Sequence, residues 1–138
     1  MMDLAALAEQ VRDAIPLTRH LDFQLTSFDG QTLTVTAPLA LNHNDKGTFF
    51  AGSQSALLTL SGWALTTLLA RQAGANADVV AVKTDLEYLL PLHSDIHITA
   101  TVSNEARSQF EQRLERRGKA TLRILAHGTS ANGARVCE

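Results

Sequence analysis

The stretch from Leu41 to Leu65, LNHNDKGTFFAGSQSALLTLSGWAL, runs a polar loop rich in Asn and Gly straight into a long apolar helical pattern. The first N–H groups of a helix have no intrahelical partner and lie at the positive end of a dipole worth roughly half a charge. A loop entering such a helix can aim those donors, with a few side chains, at a carbonyl or phosphate oxygen. Gly52 and Ser53 stand at the entry, and glycine leaves no Cβ in the path of a ligand. Asn42, Asn44, Asp45, Gly47 and Thr48 precede them. Asn, Asp and Gly are also ordinary turn and capping residues. The loop nevertheless holds more polar groups than capping alone requires.

Other chemistries find little support. Ser53 and Ser55, in AGSQS, lack the GxSxG context of a nucleophile elbow. His20, His93, His97 and His127 lack metal-ligand spacing, so no metal site is expected. His43, beside the motif, is either a solvated loop residue or a group that positions substrate. The single cysteine, Cys137, excludes an intramolecular disulfide framework and a Cys-based zinc site, which fits a reducing cytoplasm. Lys+Arg 12 against Asp+Glu 14 gives a net charge of −2 and no electrostatic case for nucleic acid or an anionic membrane. The N-terminal MMDLAALAEQVRD has neither the basic start nor the apolar core of a signal peptide. Thr59, Ser61, Thr66 and Thr67 interrupt the longest apolar run, Ala56 to Ala70, which is shorter than the ~20 residues of a membrane span.

The elements that must position the loop follow from periodicity. At 138 residues the chain is expected to form one domain, 1–138. Asp3 caps a short amphipathic helix that Pro16 ends. Phe23–Phe28 and Gln31–Pro38 read as a hairpin around Asp29-Gly30. Gly52 to Ala73 is helical with Gly74 as its C-cap, and leucines nearly all round mark it as enclosed. Val79–Leu90 alternates as a strand with Val80, Val82, Leu86, Tyr88 and Leu90 on one face, and Ile96–Val102 as another. Ala106–Arg117 fits a surface helix closed by Gly118, with a twisted strand as the alternative. Lys119–His127 alternates as a strand, Asn132-Gly133 turns, and Ala134–Glu138 begins a last strand. With no βαβ alternation, this is an α+β domain: an antiparallel sheet around one helix.

The element order and the segment LNHNDKGTFFAGSQSALLTLSGWAL resemble the hotdog fold and, more narrowly, the thioesterase-like family of the YiiD C-terminal type. The matching features are Asn42 and Asn44, Gly47-Thr48, Gly52-Ser53 and Gly62-Trp63. The resemblance implies a curled antiparallel sheet wrapped around the long helix. It implies an acyl-thioester hydrolase acting on acyl-CoA or acyl-carrier protein (acyl-ACP), without cofactor. The implied assembly is a homodimer, or a tetramer of paired dimers, with the site between protomers. In this reading Gly52 and Ser53 polarise the thioester carbonyl and Asp45 takes a proton from water. Asn42, His43 and Asn44 hold the water or the carbonyl, with Gly47 and Thr48 shaping the substrate loop.

One departure stands out. No acidic residue occurs between Asp45 and Asp78, so relatives that carry their carboxylate mid-helix are not matched; Thr59 or Ser61 occupies that region. Two other readings follow: a non-catalytic dimeric module that binds acyl-CoA or acyl chains, and a hotdog dehydratase or hydratase, whose His–carboxylate motif is absent. Arg107, Arg113, Arg116, Arg117 and Lys119 form the one basic concentration, either a solvated face or a contact for carrier phosphates. Asp85 and Glu87, on the polar face of their strand, are either solvated or within a partner's reach.

Overall fold

The computed structural model describes residues 3–138, so the first two residues of the N-terminal stretch lie outside it. Helix α1 (Leu4–Ala14) opens on Asp3, whose carboxylate accepts from the Ala6 N–H at 3.0 Å, and buries Leu7, Ala8 and Val11. A 3₁₀ turn over Pro16–Leu21 follows. Strands β1 (Gln24–Phe28) and β2 (Thr32–Ala37) form the expected hairpin. Its turn works through Asp29, whose Oδ1 accepts from the N–H groups of Gln31 (2.9 Å) and Thr32 (2.7 Å), while Gly30 takes a φ of +96°.

Helix α2 (Ala51–Gln72) is the centre of the molecule. It packs on β2, on β3 (Ile96–Thr101) and on β4 (Leu125–Thr129). Leu57, Leu65 and Leu69 are fully buried, each worth about 1.5–3 kcal/mol relative to exposure. The helix stops in a Schellman-type arrangement: Gly74 at φ +81°, with the Ala75 N–H donating to the Ala70 carbonyl at 2.9 Å.

Helix α3 (Asn104–Arg117) settles the open choice over Ala106–Arg117 in favour of a helix. Ser103 caps it through the Ala106 N–H and Gly118, at φ +71°, closes it. With β5 (Arg135–Cys137), the sheet is five-stranded in the order β1-β2-β3-β4-β5, antiparallel throughout. Leu33, Val35, Ile96, Ile98 and Ala100 point from it onto the core. No helix among the described residues is long and apolar enough to cross a membrane.

Two expected strands are shorter than their alternation suggests. Val79–Leu90 forms no regular strand: only its end meets β5, where Glu87 and Glu138 exchange backbone hydrogen bonds of 2.8 and 3.0 Å. The strand expected over Lys119–His127 begins only at Leu125, because its partner β3 ends at Thr101, opposite Leu125. Alternation marks a face to bury, but a strand also needs a neighbour to bond.

The Asp29 turn makes stability depend on pH. Backbone donation from Thr32 and Gln31 holds the Asp29 carboxyl below the ordinary carboxylate value. Its contribution is therefore complete above about pH 4 and disappears as pH falls through the lowered folded-state value. Urea denaturation of Asp29→Ala should show a loss of stability at pH 7 that shrinks as the pH is lowered below about 4.

Candidate active site at the start of α2

The loop from Pro38 to Phe50 is held by side-chain hydrogen bonds rather than by regular structure. Asn42 is 2% exposed; its Nδ2 donates to the Leu21 carbonyl at 2.8 Å and to the Pro38 carbonyl at 2.9 Å. Its own carbonyl accepts the Phe50 N–H at 2.7 Å, one residue before α2 begins. Asn44 organises the next turn: its Oδ1 accepts from the N–H groups of Lys46 (2.9 Å) and Thr48 (3.1 Å), and its Nδ2 donates to Thr48 Oγ1 at 2.8 Å. Gly47, at φ +77°, supplies the left-handed residue this turn requires. His43 bridges to Phe49 across the loop, and its ring is exposed.

The helix start itself is bare. Its N-cap is Phe50, whose side chain makes no capping bond, and the first backbone bond of the helix is Gln54 N–H to the Phe50 carbonyl at 3.1 Å. The N–H groups of Ala51, Gly52 and Ser53 are thus left without a partner among the described residues, with Ala51 and Gly52 exposed and Ser53 half-buried. A Cβ at Gly52 would run into the Phe50 ring, so glycine lets that ring lie against the first turn.

Two residues that sequence reasoning did not single out complete the surroundings. Tyr88 donates its hydroxyl to the Ala51 carbonyl at 3.1 Å, tying the segment after α2 back to the helix start. Gln54, 4% exposed, donates Nε2 to the Phe49 carbonyl at 3.1 Å while its buried Oε1 has no partner. An uncharged amide among the leucines of α2 was the available signal for Gln54. Tyr88 gave only a core-type alternation signal, since its bond to Ala51 spans 37 residues.

The expected base, Asp45, stands on the loop with its side chain 81% exposed, ion-paired to the adjacent Lys46 at 3.1 Å. No other acid precedes α2 in this loop, and within α2 Ser61 turns its hydroxyl back to the Leu57 carbonyl at 2.7 Å. Arg107, at the start of the basic group, gives its guanidinium to the Gly30 carbonyl at 3.1 Å, whereas Arg113, Arg116, Arg117 and Lys119 are exposed. No cluster of three or more His, Cys, Asp or Glu able to hold a metal occurs among the described residues.

A model of the family described as "Putative thioesterase (yiiD_Cterm)" matches residues 4–138. The chain belongs to that family. Membership gives this yiiD_Cterm chain a thioesterase-like function, and solved structures agree on its fold. A structure described as the "putative thioesterase from Shewanella oneidensis" superposes with a TM-score of 0.83 at 24% identity, over 97% of this chain and 90% of that one. A Chlorobaculum tepidum protein of unknown function gives 0.87 at 24% identity, over 96% and 87%. Zebra fish thioesterase superfamily member 2 gives 0.71 at 18% identity, over 99% and 94%. The fold is therefore the α+β hotdog arrangement that the element order resembles.

The division of labour in the loop is measurable. Asn42→Ala strands the Leu21 and Pro38 carbonyls and should cost about 2 kcal/mol in chemical denaturation. Asp45→Ala, on an exposed ion pair, should stay within about 0.5 kcal/mol of the parent.

Proposed function

We propose that this chain hydrolyses acyl thioesters carried on coenzyme A or an acyl-carrier protein, with the thioester carbonyl held at the start of α2. The observation that carries this reading is the uncapped first turn, where the N–H groups of exposed Gly52 and half-buried Ser53 have no partner among the described residues. Donors fixed in this way stabilise the negative charge that grows on the carbonyl oxygen as water attacks, and they need no reorganisation to do so. In this reading Asp45 takes the proton from that water; its exposed carboxylate is bonded only by Lys46. The rigid Asn42 and Asn44 turns fix the loop that presents it, and in this reading Gly47 and Thr48 meet the substrate.

The working form in this reading is a homodimer, alone or paired into a tetramer, with the site at the protomer boundary. Phe50, Tyr88, Leu89 and Leu90 are exposed around the helix start, and the Phe49 N–H bond to the Leu92 carbonyl (2.8 Å) keeps them together. A second protomer covering this apolar rim would exclude water and strengthen the carbonyl's hydrogen bonds. The non-catalytic acyl-binding module draws on one observation, the outward Asp45–Lys46 pair, and on the absence of any acid in α2.

Backbone and side chain can be separated at Ser53. Ser53→Pro removes an N–H that makes no helix bond, at a first-turn position where proline is tolerated and after a glycine that has no Cβ to clash. It should lower kcat about 10²–10³-fold with helix content unchanged by circular dichroism. Ser53→Ala, which keeps the N–H, should remain near parental activity. Asp45→Asn should lower kcat by at least about 10²-fold while acyl-CoA binding by calorimetry persists; parental turnover in both Ser53→Pro and Asp45→Asn would refute the assignment.

A further inference from the structure

The peptide group between Ala51 and Gly52 joins the bare first turn of α2 to the far side of the chain. Its carbonyl accepts the Tyr88 hydroxyl at 3.1 Å, and its N–H is the Gly52 donor assigned above to the thioester carbonyl. A peptide unit is a rigid plane, so fixing the oxygen fixes the direction in which the hydrogen points. The bond also acts through the conjugated electrons: donation to the carbonyl draws charge from the nitrogen and strengthens its N–H as a donor, by roughly 10–30% per bond. Among the described residues no other side chain bonds the backbone of Ala51, Gly52 or Ser53.

That plane needs a brace. Gly52 has no Cβ to restrict its backbone, Phe50 offers no capping side chain, and Ala51 and Gly52 are exposed. The Phe50 ring lies where a Cβ of Gly52 would stand, and it supplies no hydrogen bond. Tyr88, in contrast, is anchored on both sides. It bridges to Cys137, its neighbour Leu89 donates to the Val136 carbonyl at 2.8 Å, and the Phe49 N–H on the Leu92 carbonyl (2.8 Å) ties the same segment to the residue before the N-cap. The Tyr88 side of the turn is open, since the residue is 49% exposed; what it offers there beyond a phenylalanine is the hydroxyl.

The inner side of the turn holds a second unmatched group. Gln54 is 4% exposed, its Nε2 lies on the Phe49 carbonyl just ahead of the N-cap, and its buried Oε1 has no partner among the described residues. Buried acceptors are normally satisfied, so free donors and a free buried acceptor at one helix end are groups that a polar ligand and its attacking water satisfy together.

We propose that Tyr88 is a positioning residue for thioester hydrolysis: its bond to the Ala51 carbonyl sets the tilt and the donor strength of the Gly52 N–H. This rests on the hydrolase reading. In that reaction the water oxygen bonds the carbonyl carbon, the C–S bond breaks, and the proton that Asp45 takes from water ends on the leaving thiolate. Tyr88 touches none of these atoms. Its contribution grows as negative charge gathers on the carbonyl oxygen, so it falls on kcat rather than KM.

Tyrosine occurs once in the chain, so protein grown on difluorotyrosine carries a stronger phenolic donor at Tyr88 alone. The test compares the parent, this fluorinated protein and Tyr88→Phe at mildly acid pH, where the fluorinated phenol stays protonated. Each binds an acyl-CoA analogue with methylene in place of the thioester sulfur and carbon-13 at the ketone. The ketone resonance should move downfield on binding, furthest in the fluorinated protein and least in Tyr88→Phe. Turnover should follow the same order at constant KM, with kcat about tenfold lower in Tyr88→Phe, against about 10²–10³-fold for a donor removed outright. Equal shifts and equal kcat in the three proteins overturn the proposal, as does a change confined to KM or to helix content. If Tyr88→Phe does not fold, the fluorinated protein against the parent decides by the same readings. A parent that releases no thiol sinks the hydrolase reading while the graded ketone shift still decides the brace; no downfield shift in the parent overturns both.

Discussion

The site depends on one buried amide. Asn42 holds the Leu21 and Pro38 carbonyls with its side chain and the Phe50 N–H with its backbone carbonyl, so the end of the 3₁₀ turn, the end of β2 and the start of α2 meet at a single residue. Leaving such carbonyls unpaired costs more than an exposed hydrogen bond is worth, which makes this junction a rigid point rather than a hinge. Everything proposed for the site inherits its position from there. The Asn44 turn is built two residues further on, and the bare first turn of α2 begins immediately after the Phe50 bond.

What surrounds that junction was unequally legible in the sequence. Local signals were dependable: Asp3 as a cap, Asp29-Gly30 as a turn, Gly74 and Gly118 as helix ends all act where their types suggested. The enclosure of α2 was readable because its leucines leave no polar face. In the loop, residue types marked a polar segment held by side-chain hydrogen bonds but not the division of labour within it. Asn42 and Asn44 have the composition of ligand-binding residues, yet their amides are committed to the backbone and to Thr48. Tyr88 was legible only as a strand residue, because its role is a long-range bond to Ala51.

The two strands that alternation overestimated, over Val79–Leu90 and Lys119–His127, share a physical cause. A period of two records which face a segment buries, whereas strand structure records whether both backbone edges have partners. Where β3 stops at Thr101 and β5 stops at Cys137, the alternating side chains persist but the ladder does not. Phe50, Tyr88, Leu89 and Leu90 are exposed, and the Tyr88 hydroxyl reaches the Ala51 carbonyl at the start of α2.

The central claim is that the start of α2 is a thioester-hydrolysing site, and release of free thiol tests it most directly. The chain would be assayed against short, medium and long acyl-CoAs and acyl-carrier-protein thioesters, with turnover expressed per protomer. The account predicts saturable release that is selective for chain length and well above the spontaneous rate. Release at the spontaneous rate on every substrate of both carriers, from folded protein, would contradict it.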